Sequence, residues 1–361
     1  MDLSTVLLVS LAGAIAAPFV VARTGAVGGW IAAALPAALF AYFFAQIGAV
    51  GAAPIVDVVS WVPSLGIDLT FRLDGFSLLF ALLITGIGTL VTLYASSYMS
   101  GKPPFARAQF LFYILLFMTA MLATVSADNL VALFVFWEMT SLLSFLLVGF
   151  QSEDEKARKA ALQSLLVTAG GGLALLAGII LIGVEAGTFS LAAITANPAP
   201  VLESPLLPAI VVCVLIGAFT KSAQFPFHFW LPNAMKAPTP ASAYLHSATM
   251  VKLGVYLLAR LDPVFAGAPW VGATLVAFGG ITMLVAALQA LRAIEIKAVL
   301  AFSTVASLGT LVMLIGLDGP VSSVAVVGFI LAHALYKATL FFCAGIVIHA
   351  THETRLRSLG G

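Results

Sequence analysis

Residues 215–240 read LIGAFTKSAQFPFHFWLPNAMKAPTP, an apolar run that carries Lys221 and then meets Pro226 and Pro232. Proline lacks a backbone donor and clashes with the preceding turn, so a helix through this run must break near residues 222–226. The break would leave Lys221 at the end of the first helical half, where the helix dipole favours a cation. The alternative is a simple proline kink whose lysine snorkels to a polar surface.

The composition of the whole chain identifies the environment of this run. Of the 361 residues, 62% are hydrophobic and only 9% are charged, whereas an ordinary soluble domain is about 25% charged. A large soluble helical protein would need many more charges to coat its surface. The net charge is +1, and no basic run, zinc spacing or phosphate loop points to nucleic acid. The composition therefore predicts an all-α integral membrane protein.

Eleven segments are long and apolar enough to span a bilayer, which takes about 20 residues each. The predicted spans are 4–22, 26–46, 76–99, 107–125, 129–150, 160–184, 206–236, 240–261, 269–290, 294–316 and 321–348. Residues 47–75 and 186–205 are expected to be non-helical. Within the first of these stretches, PIVDVVSWVPSLGIDLTFRLD alternates as a β-hairpin outside the membrane would.

The basic residues divide unevenly between the two sides of these spans. Two, Arg72 and Arg260, fall on one side, and ten fall in loops on the other: Arg23, Lys102, Arg107, Lys156, Arg158, Lys159, Lys236, Arg292, Arg355 and Arg357. Since positive charge concentrates on the cytoplasmic side, this bias predicts a plasma-membrane protein with its N-terminus outside. The remaining lysines lie inside predicted spans: Lys221, Lys252, Lys297 and Lys337.

Ionisable residues within the spans are the strongest functional signal. Each charge at the bilayer centre costs about 2.5–3.5 kcal/mol, so Glu138 and three mid-span lysines together cost on the order of 10 kcal/mol. A helix would not keep them for packing alone. A glutamate beside a titrating lysine can switch between holding and releasing a proton, and broken helices in transporters mark ion sites. A plain interhelical salt bridge at Glu138 is the alternative.

Two histidines extend this set. His333 and Lys337 are spaced i,i+4 and so lie one above the other on a helix, as a relay or as a structural hydrogen-bonded pair. His246 and Lys252 are six residues apart, about 240° around a helix, and should not share a face. His246 could equally be a satisfied core histidine. Lys297 stands close to the end of its span, where it could relay protons or snorkel to the surface.

Several long motifs resemble one known family. They are DGFSLLFALLITGIGTLVTLY (74–94), DNLVALFVFWEMTSLLSFLLVGF (128–150), KSAQFPFHFWLPNAMKAPTPASAYLHSATMVK (221–252), IKAVLAFSTVASLG (296–309) and HALYKATLFFCAGIVIH (333–349). The chain resembles, over nearly everything after residue 70, the proton-pumping subunits shared by respiratory complex I and Mrp-type multisubunit Na⁺/H⁺ antiporters.

The resemblance implies a core of fourteen helices with two inverted five-helix repeats, each containing one broken helix. The expected divisions are 1–105 for three N-terminal helices and the hairpin, 106–262 for the first repeat, and 263–361 for part of the second. The family's functional residues map onto Glu138, Lys221, His246, His333 and Lys337. The resemblance also implies a hydrated polar axis along the membrane midplane, in which Glu138 and Lys221 control proton uptake.

Two details favour the A-type subunit of the Mrp antiporters. Lys252 follows HSATMV, and the sixth span, LQSLLVTAGGGLALLAG, lacks the aspartate usual in complex I. The expected function is proton translocation in a hetero-oligomeric Na⁺/H⁺ antiporter, without a cofactor and without catalysing a chemical reaction. The alternatives are a non-redox pump subunit of NADH:quinone oxidoreductase and a non-transporting scaffold. Because RLRSLGG lies in a loop before the broken twelfth span, we expect the chain to be a fragment.

Overall fold

The computed structural model describes residues 1–24, 26–62, 67–317 and 319–360. Its long helices are α1 (Leu3–Thr24), α5 (Gly75–Tyr98), α6 (Pro104–Ser126), α7 (Leu130–Val148), α8 (Glu155–Ala186), α11 (Leu207–Lys221), α14 (Leu253–Phe265), α15 (Pro269–Arg292), α16 (Ile296–Gly316) and α17 (Pro320–Thr351). The shorter ones are α2 (Ala26–Ala32), α3 (Ala34–Ala45), α4 (Ile47–Ala52), α9 (Leu191–Ala196), α10 (Ala199–Leu202), α12 (Trp230–Asn233) and α13 (Thr239–Ala243).

The helices fit a membrane-spanning bundle. In the described residues, nine helical segments are long and apolar enough to cross a membrane, if the run α2–α4 is taken as one. Helix α11 is apolar but shorter, with 15 residues. The prediction of an all-α, multi-pass membrane protein is confirmed. The count of eleven spans stays a prediction, because the segments predicted at 206–236 and 240–261 are both interrupted.

The predicted hairpin is present next to the first helix. Strand β1 (Ile55–Val62) pairs antiparallel with β2 (Ile67–Leu73), and Ile55 lies opposite Leu73. Residues 63–66, within the predicted hairpin, lie outside the described residues. The backbone N–H of Ser4 donates to Asp57 Oδ2 at 2.7 Å, which fixes the hairpin against α1.

The prediction that residues 47–75 and 186–205 lack helix is wrong in part. Helix α4 occupies 47–52, and α9 and α10 lie within 186–205. The cause at α9 is local capping, since Ser190 Oγ accepts a hydrogen bond from the Ala193 N–H at the helix start. Ser190 Oγ also donates to Asp128 Oδ2 at 2.6 Å, so this short helix is anchored to the start of α7.

The chain breaks twice in its middle third. The predicted break is confirmed, since α11 ends at Lys221 and Ala223 adopts a left-handed backbone with φ 49°. The span predicted at 240–261 is not one continuous α-helix. Helix α13 is followed by a π-helical turn at Tyr244–Ala248 and a 3₁₀ turn at Met250–Lys252 before α14 begins. Between the two turns, Thr249 leaves helical geometry, and its hydroxyl donates to the Tyr244 carbonyl at 2.7 Å.

Helices α15 and α16 pack backbone to backbone. A Cβ added at Gly279 of α15 would stand 2.6 Å from the Gly309 carbonyl oxygen and 2.5 Å from the Met313 backbone nitrogen of α16. Lipid gives no hydrophobic drive for helices to associate, so small residues that allow such close contact stabilise the pair. A Cβ at the next residue, Gly280, would meet only Met313 Sδ, at 4.0 Å.

We therefore predict different effects for the two neighbouring substitutions. Gly279→Ala should destabilise the bundle by about 1–3 kcal/mol, because backbone atoms cannot yield to the added methyl group. Gly280→Ala should leave stability unchanged or slightly higher, because alanine has the better helix propensity. Thermal unfolding of the two detergent-solubilised variants provides the comparison. Equal unfolding temperatures would show that the α15–α16 contact is not so tight.

Candidate functional site

Lys221 lies at the end of α11 and is fully buried. Its ammonium donates to the Trp137 carbonyl at 3.0 Å and to Ser141 Oγ at 2.7 Å, both on α7. It also lies 5.0 Å from the centroid of the Trp137 ring, within range of a cation–π interaction. The first half of the broken helix thus ends with its cation held by neutral oxygen atoms of α7.

Glu138 is the residue after Trp137 on α7, and it faces α8. A Cβ added at Gly172 of α8 would collide with Glu138 Oε1, so the carboxylate fills the space that this glycine leaves. Glu138 Oε1 has no hydrogen-bond partner among the described residues. The described residues include no ion pair within 4 Å between Glu138 and Lys221. The two groups interact electrostatically, and Ser141 contacts both of them.

The second break carries Lys252 and is tied directly to the first. Ser222 Oγ donates to the Val251 carbonyl at 2.6 Å and accepts from the Val255 N–H at 3.1 Å. Lys252 is fully buried, and its ammonium donates to the Ser247 carbonyl. The predicted separation of about 240° between His246 and Lys252 assumes a regular α-helix. Residues 244–252 do not form one α-helix, so this angle does not apply.

His333 and Lys337 lie on the buried face of α17, as their spacing predicts. The Lys337 ammonium donates to Ser303 Oγ of α16 at 2.6 Å. Neither ring nitrogen of His333 has a hydrogen-bond partner in the described part of the chain. Lys252 and Lys337 both interact electrostatically with His333, so the three side chains lie near one another where the second break meets α17.

His246 and Lys297 lie near each other at a separate place. His246 is fully buried, its ring centroid is 6.2 Å from that of Trp230, and neither ring nitrogen has a partner among described residues. The Lys297 ammonium donates to the Ala237 carbonyl at 2.7 Å. Lys297 therefore turns toward the protein rather than snorkelling outward, and it interacts electrostatically with His246.

The described ion pairs involve none of the four lysines. Carbonyl and hydroxyl oxygens hold each ammonium without cancelling its charge. Buried polar atoms in native proteins are normally hydrogen-bonded to protein or ordered water. The unpartnered atoms of Glu138, His246 and His333 therefore make the interior of the bundle polar at three places.

Sequence reasoning missed the polar residues that hold the lysines. Ser141 lies one helical turn after Glu138, a spacing that could have identified it. Ser303 carries no comparable signal, because its partner Lys337 is distant in sequence. Ser247 carries none either, because it bonds to Lys252 through its backbone carbonyl. Gln224 was also missed: it is fully buried after the first break, and its Oε1 has no partner in the described residues.

A separate cavity of about 650 Å³ lies at the end of α14, next to the hairpin. Arg260 and Asp74 form a two-pronged ion pair in its wall, with both N–O distances 2.6 Å. Burial by itself would raise the pKa of Asp74, but the hydrogen bonds and charge of Arg260 outweigh it and hold the pKa well below its usual range. The pair fixes the start of α5 to α14, and the cavity wall does not include the buried lysines.

Comparison with known proteins supports the family resemblance of the sequence motifs. Residues 127–361 match the family described as NADH:quinone oxidoreductase/Mrp antiporter, transmembrane, and residues 59–107 match the complex I chain 5 N-terminus. The chain is 47% identical to the A subunit of a Na⁺/H⁺ antiporter from Alkalihalophilus pseudofirmus, over 92% of this chain and 43% of that protein. It is 44% identical to the A/B subunit of a probable K⁺/H⁺ antiporter from Rhizobium meliloti, over 99% of this chain and 36% of that protein.

A solved structure agrees with the fold. The structure of the Mrp complex from Dietzia sp. superposes with a TM-score of 0.89 at 38% identity, over 97% of this chain and 38% of the matched chain. The chain thus spans less than half the length of these relatives.

The contacts of Lys221 generate a test within α7. Ser141→Ala should destabilise the protein by about 1.5–3 kcal/mol, because it removes a hydrogen bond to a buried charged group. Ser144→Ala is the matched control: Ser144 is also buried on α7, and its hydroxyl has no partner among described residues. Thermal unfolding in detergent should separate the two variants, and equal destabilisation would contradict the assignment of Ser141.

Proposed function

Since the chain belongs to the NADH:quinone oxidoreductase/Mrp antiporter transmembrane family, we propose that it translocates protons within a multisubunit monovalent cation/proton antiporter. One observation carries the proposal: Lys221 ends an interrupted helix inside the membrane and is held by neutral oxygens beside Glu138. A charge kept there at such cost, next to backbone that is not helical, fits an ion path better than a structural contact.

In the proposed path, a proton reaches Glu138 and passes to the Lys221 region across Ser141. Lys221 bonds to Ser141 Oγ and the Trp137 carbonyl, and both acceptors can hold the amine in either protonation state. Ser222 joins this break to the one that carries Lys252. From there the path continues through His333 to Lys337, which donates to Ser303. His246, beside Trp230, and Lys297 form a branch of the proposed path.

Cation exchange is favoured over redox-driven pumping by the relatives. The two similar proteins described above are named as parts of Na⁺/H⁺ and K⁺/H⁺ antiporters. We therefore propose that the complete protein acts with other antiporter subunits in the plasma membrane, that it exchanges H⁺ for Na⁺ or K⁺, and that it is not an enzyme. The basic-residue bias supports an N-terminus on the outer side.

The division into repeats is part of the same proposal. Residues 1–105 would supply three N-terminal helices and the hairpin, 106–262 the first repeat with its broken seventh span, and 263–361 part of the inverted second repeat. Both helix interruptions, the one after Lys221 and the one that contains Lys252, fall within the proposed first repeat.

Two substitutions test the function. Glu138→Gln and Lys221→Ala should each abolish cation-dependent proton exchange in membrane vesicles, because each removes a titratable group from the path. Exchange is measured by the fluorescence of a pH-sensitive dye after addition of Na⁺ or K⁺, in the complete complex. Assembly is checked by co-purification of the partner subunits.

Exposed charges provide the controls for these variants. Lys159→Ala and Glu153→Gln alter exposed residues at the start of α8, and Lys159 pairs there with Glu155 at 2.6 Å. Such surface contacts contribute little, so both controls should keep full exchange. Full exchange in the Glu138 and Lys221 variants as well would refute the proposed path.

The contact between Glu138 and α8 gives a finer test. Gly172→Ala should displace the carboxylate and slow exchange roughly tenfold, the effect of losing about 1.4 kcal/mol of favourable positioning. Gly170→Ala adds the same methyl group to the same helix, but nothing lies within 4 Å of its Cβ. Its exchange rate should equal that of the unsubstituted protein. Equal rates in the two variants would show that the position of the Glu138 carboxylate is unimportant.

A further inference from the structure

Two distant segments meet at the end of α15. After α17, His352 adopts a left-handed backbone with φ 58°, and the chain turns back. The Leu356 N–H then donates to the Ile294 carbonyl at 2.9 Å, and the Ile296 N–H donates to the Thr354 carbonyl at 3.0 Å. Residues 354–356 thus run antiparallel to residues 294–296, the link between α15 and α16. We call these two paired segments, together with Arg292 and Arg357, the α15 clamp.

The α15 clamp brings arginines together. Arg355 and Arg357 flank Leu356, and Arg292 is the last residue of α15, two positions before Ile294. All three arginines are exposed, and none takes part in an ion pair among the described residues. The nearest carboxylate in the clamp, Glu295, is already paired with Lys236 at 3.9 Å. The clamp therefore presents three exposed guanidinium groups, none of them held in an ion pair among the described residues.

An apolar row on α15 leads to these arginines. Leu284, Leu288 and Leu291 follow one another at helical spacing and are 61%, 60% and 85% exposed. On a membrane-spanning helix such a row faces acyl chains. Ile294 and Leu356 of the clamp are also exposed, at 55% and 46%, and continue the apolar surface to the level of the guanidinium groups.

We propose that the α15 clamp and this leucine row bind an anionic phospholipid. Arginine donates to phosphate through a planar fork, so the guanidinium groups fit the lipid phosphate, and the row fits one acyl chain. Charge complementarity favours an anionic headgroup, because a zwitterionic lipid brings its own cation to the phosphate. The basic-residue bias puts the clamp on the cytoplasmic side, where anionic lipids attract arginines near the surface. The bound lipid holds residues 354–356 against the α15–α16 link.

Lipid titration of the purified protein tests this site without any transport assay. Phosphatidylglycerol or cardiolipin should raise the thermal unfolding temperature in detergent and remain bound in native mass spectrometry, whereas phosphatidylcholine should do neither. Replacing Arg292, Arg355 and Arg357 by Gln should weaken the apparent affinity for phosphatidylglycerol roughly a hundredfold. The matched control replaces the exposed Arg23, Lys102 and Lys156 by Gln and should retain the lipid response.

Further variants separate a lipid from other occupants. The double variant Leu284→Ala and Leu288→Ala should bind the lipid more weakly. Inorganic phosphate should not raise the thermal unfolding temperature of the protein. Stabilisation by inorganic phosphate equal to that by the lipid would overturn the lipid assignment in favour of a free anion. An unchanged lipid response in the triple Arg→Gln variant would also overturn it. So would loss of partner subunits from that variant without any lipid preference, since the surface would then bind a protein.

Discussion

The ammonium of Lys221 imposes the constraint on which the middle of the molecule depends. A buried cation must find acceptors, and burial without them costs several kcal/mol. The Trp137 carbonyl and Ser141 Oγ of α7 supply them. This contact places the end of α11 against α7. Ser222, the next residue, then bonds to Val251 and Val255 and so positions the second interruption.

Close helix contacts occur beside these polar groups rather than apart from them. Gly172 leaves room for the Glu138 carboxylate, and Gly171 leaves room for Thr220, the residue before Lys221. A Cβ at Gly254 would collide with Ser222 Oγ and with the Ala218 carbonyl of α11. Small residues let helices approach in lipid, where burial of apolar surface gives no advantage. Here they also create the spaces that the polar side chains occupy, so packing and the polar interior share the same residues.

The sequence was informative wherever one residue type has a strong local effect. Pro226 and Pro232 predicted the break after Lys221, and β-branched alternation predicted the hairpin. The interruption at 244–252 could not be predicted this way, because no proline or glycine occurs there. It depends on Thr249, whose hydroxyl bonds to the Tyr244 carbonyl, and on the tertiary bonds of Ser222. The start of the short helix α9 likewise bonds to Asp128, which is far away in sequence.

The candidate site was likewise predictable from the sequence only in part. The energetic cost of intramembrane charge was enough to identify Glu138 and the buried lysines from sequence. Their partners were not identified, because Ser303 reaches Lys337 from another helix and Lys252 bonds to a backbone carbonyl. Serine is common and carries no such cost, so only the folded arrangement distinguishes Ser303 from other hydroxyls, and Ser141 has no local signal except its spacing from Glu138. The residue types that are expensive to bury were predictable, and those that stabilise them were not.

The candidate site contains more basic than acidic side chains. Lys221, Lys252, Lys297 and Lys337 share the interior with a single mid-span carboxylate, Glu138, and none of them forms a described ion pair. Full protonation of all four would place a large uncompensated positive charge in a medium that screens it poorly. In the proposed path, a proton on one of these groups disfavours a proton on its neighbour, and the neutral acceptor Ser141 allows Lys221 to lose its proton without breaking an ion pair.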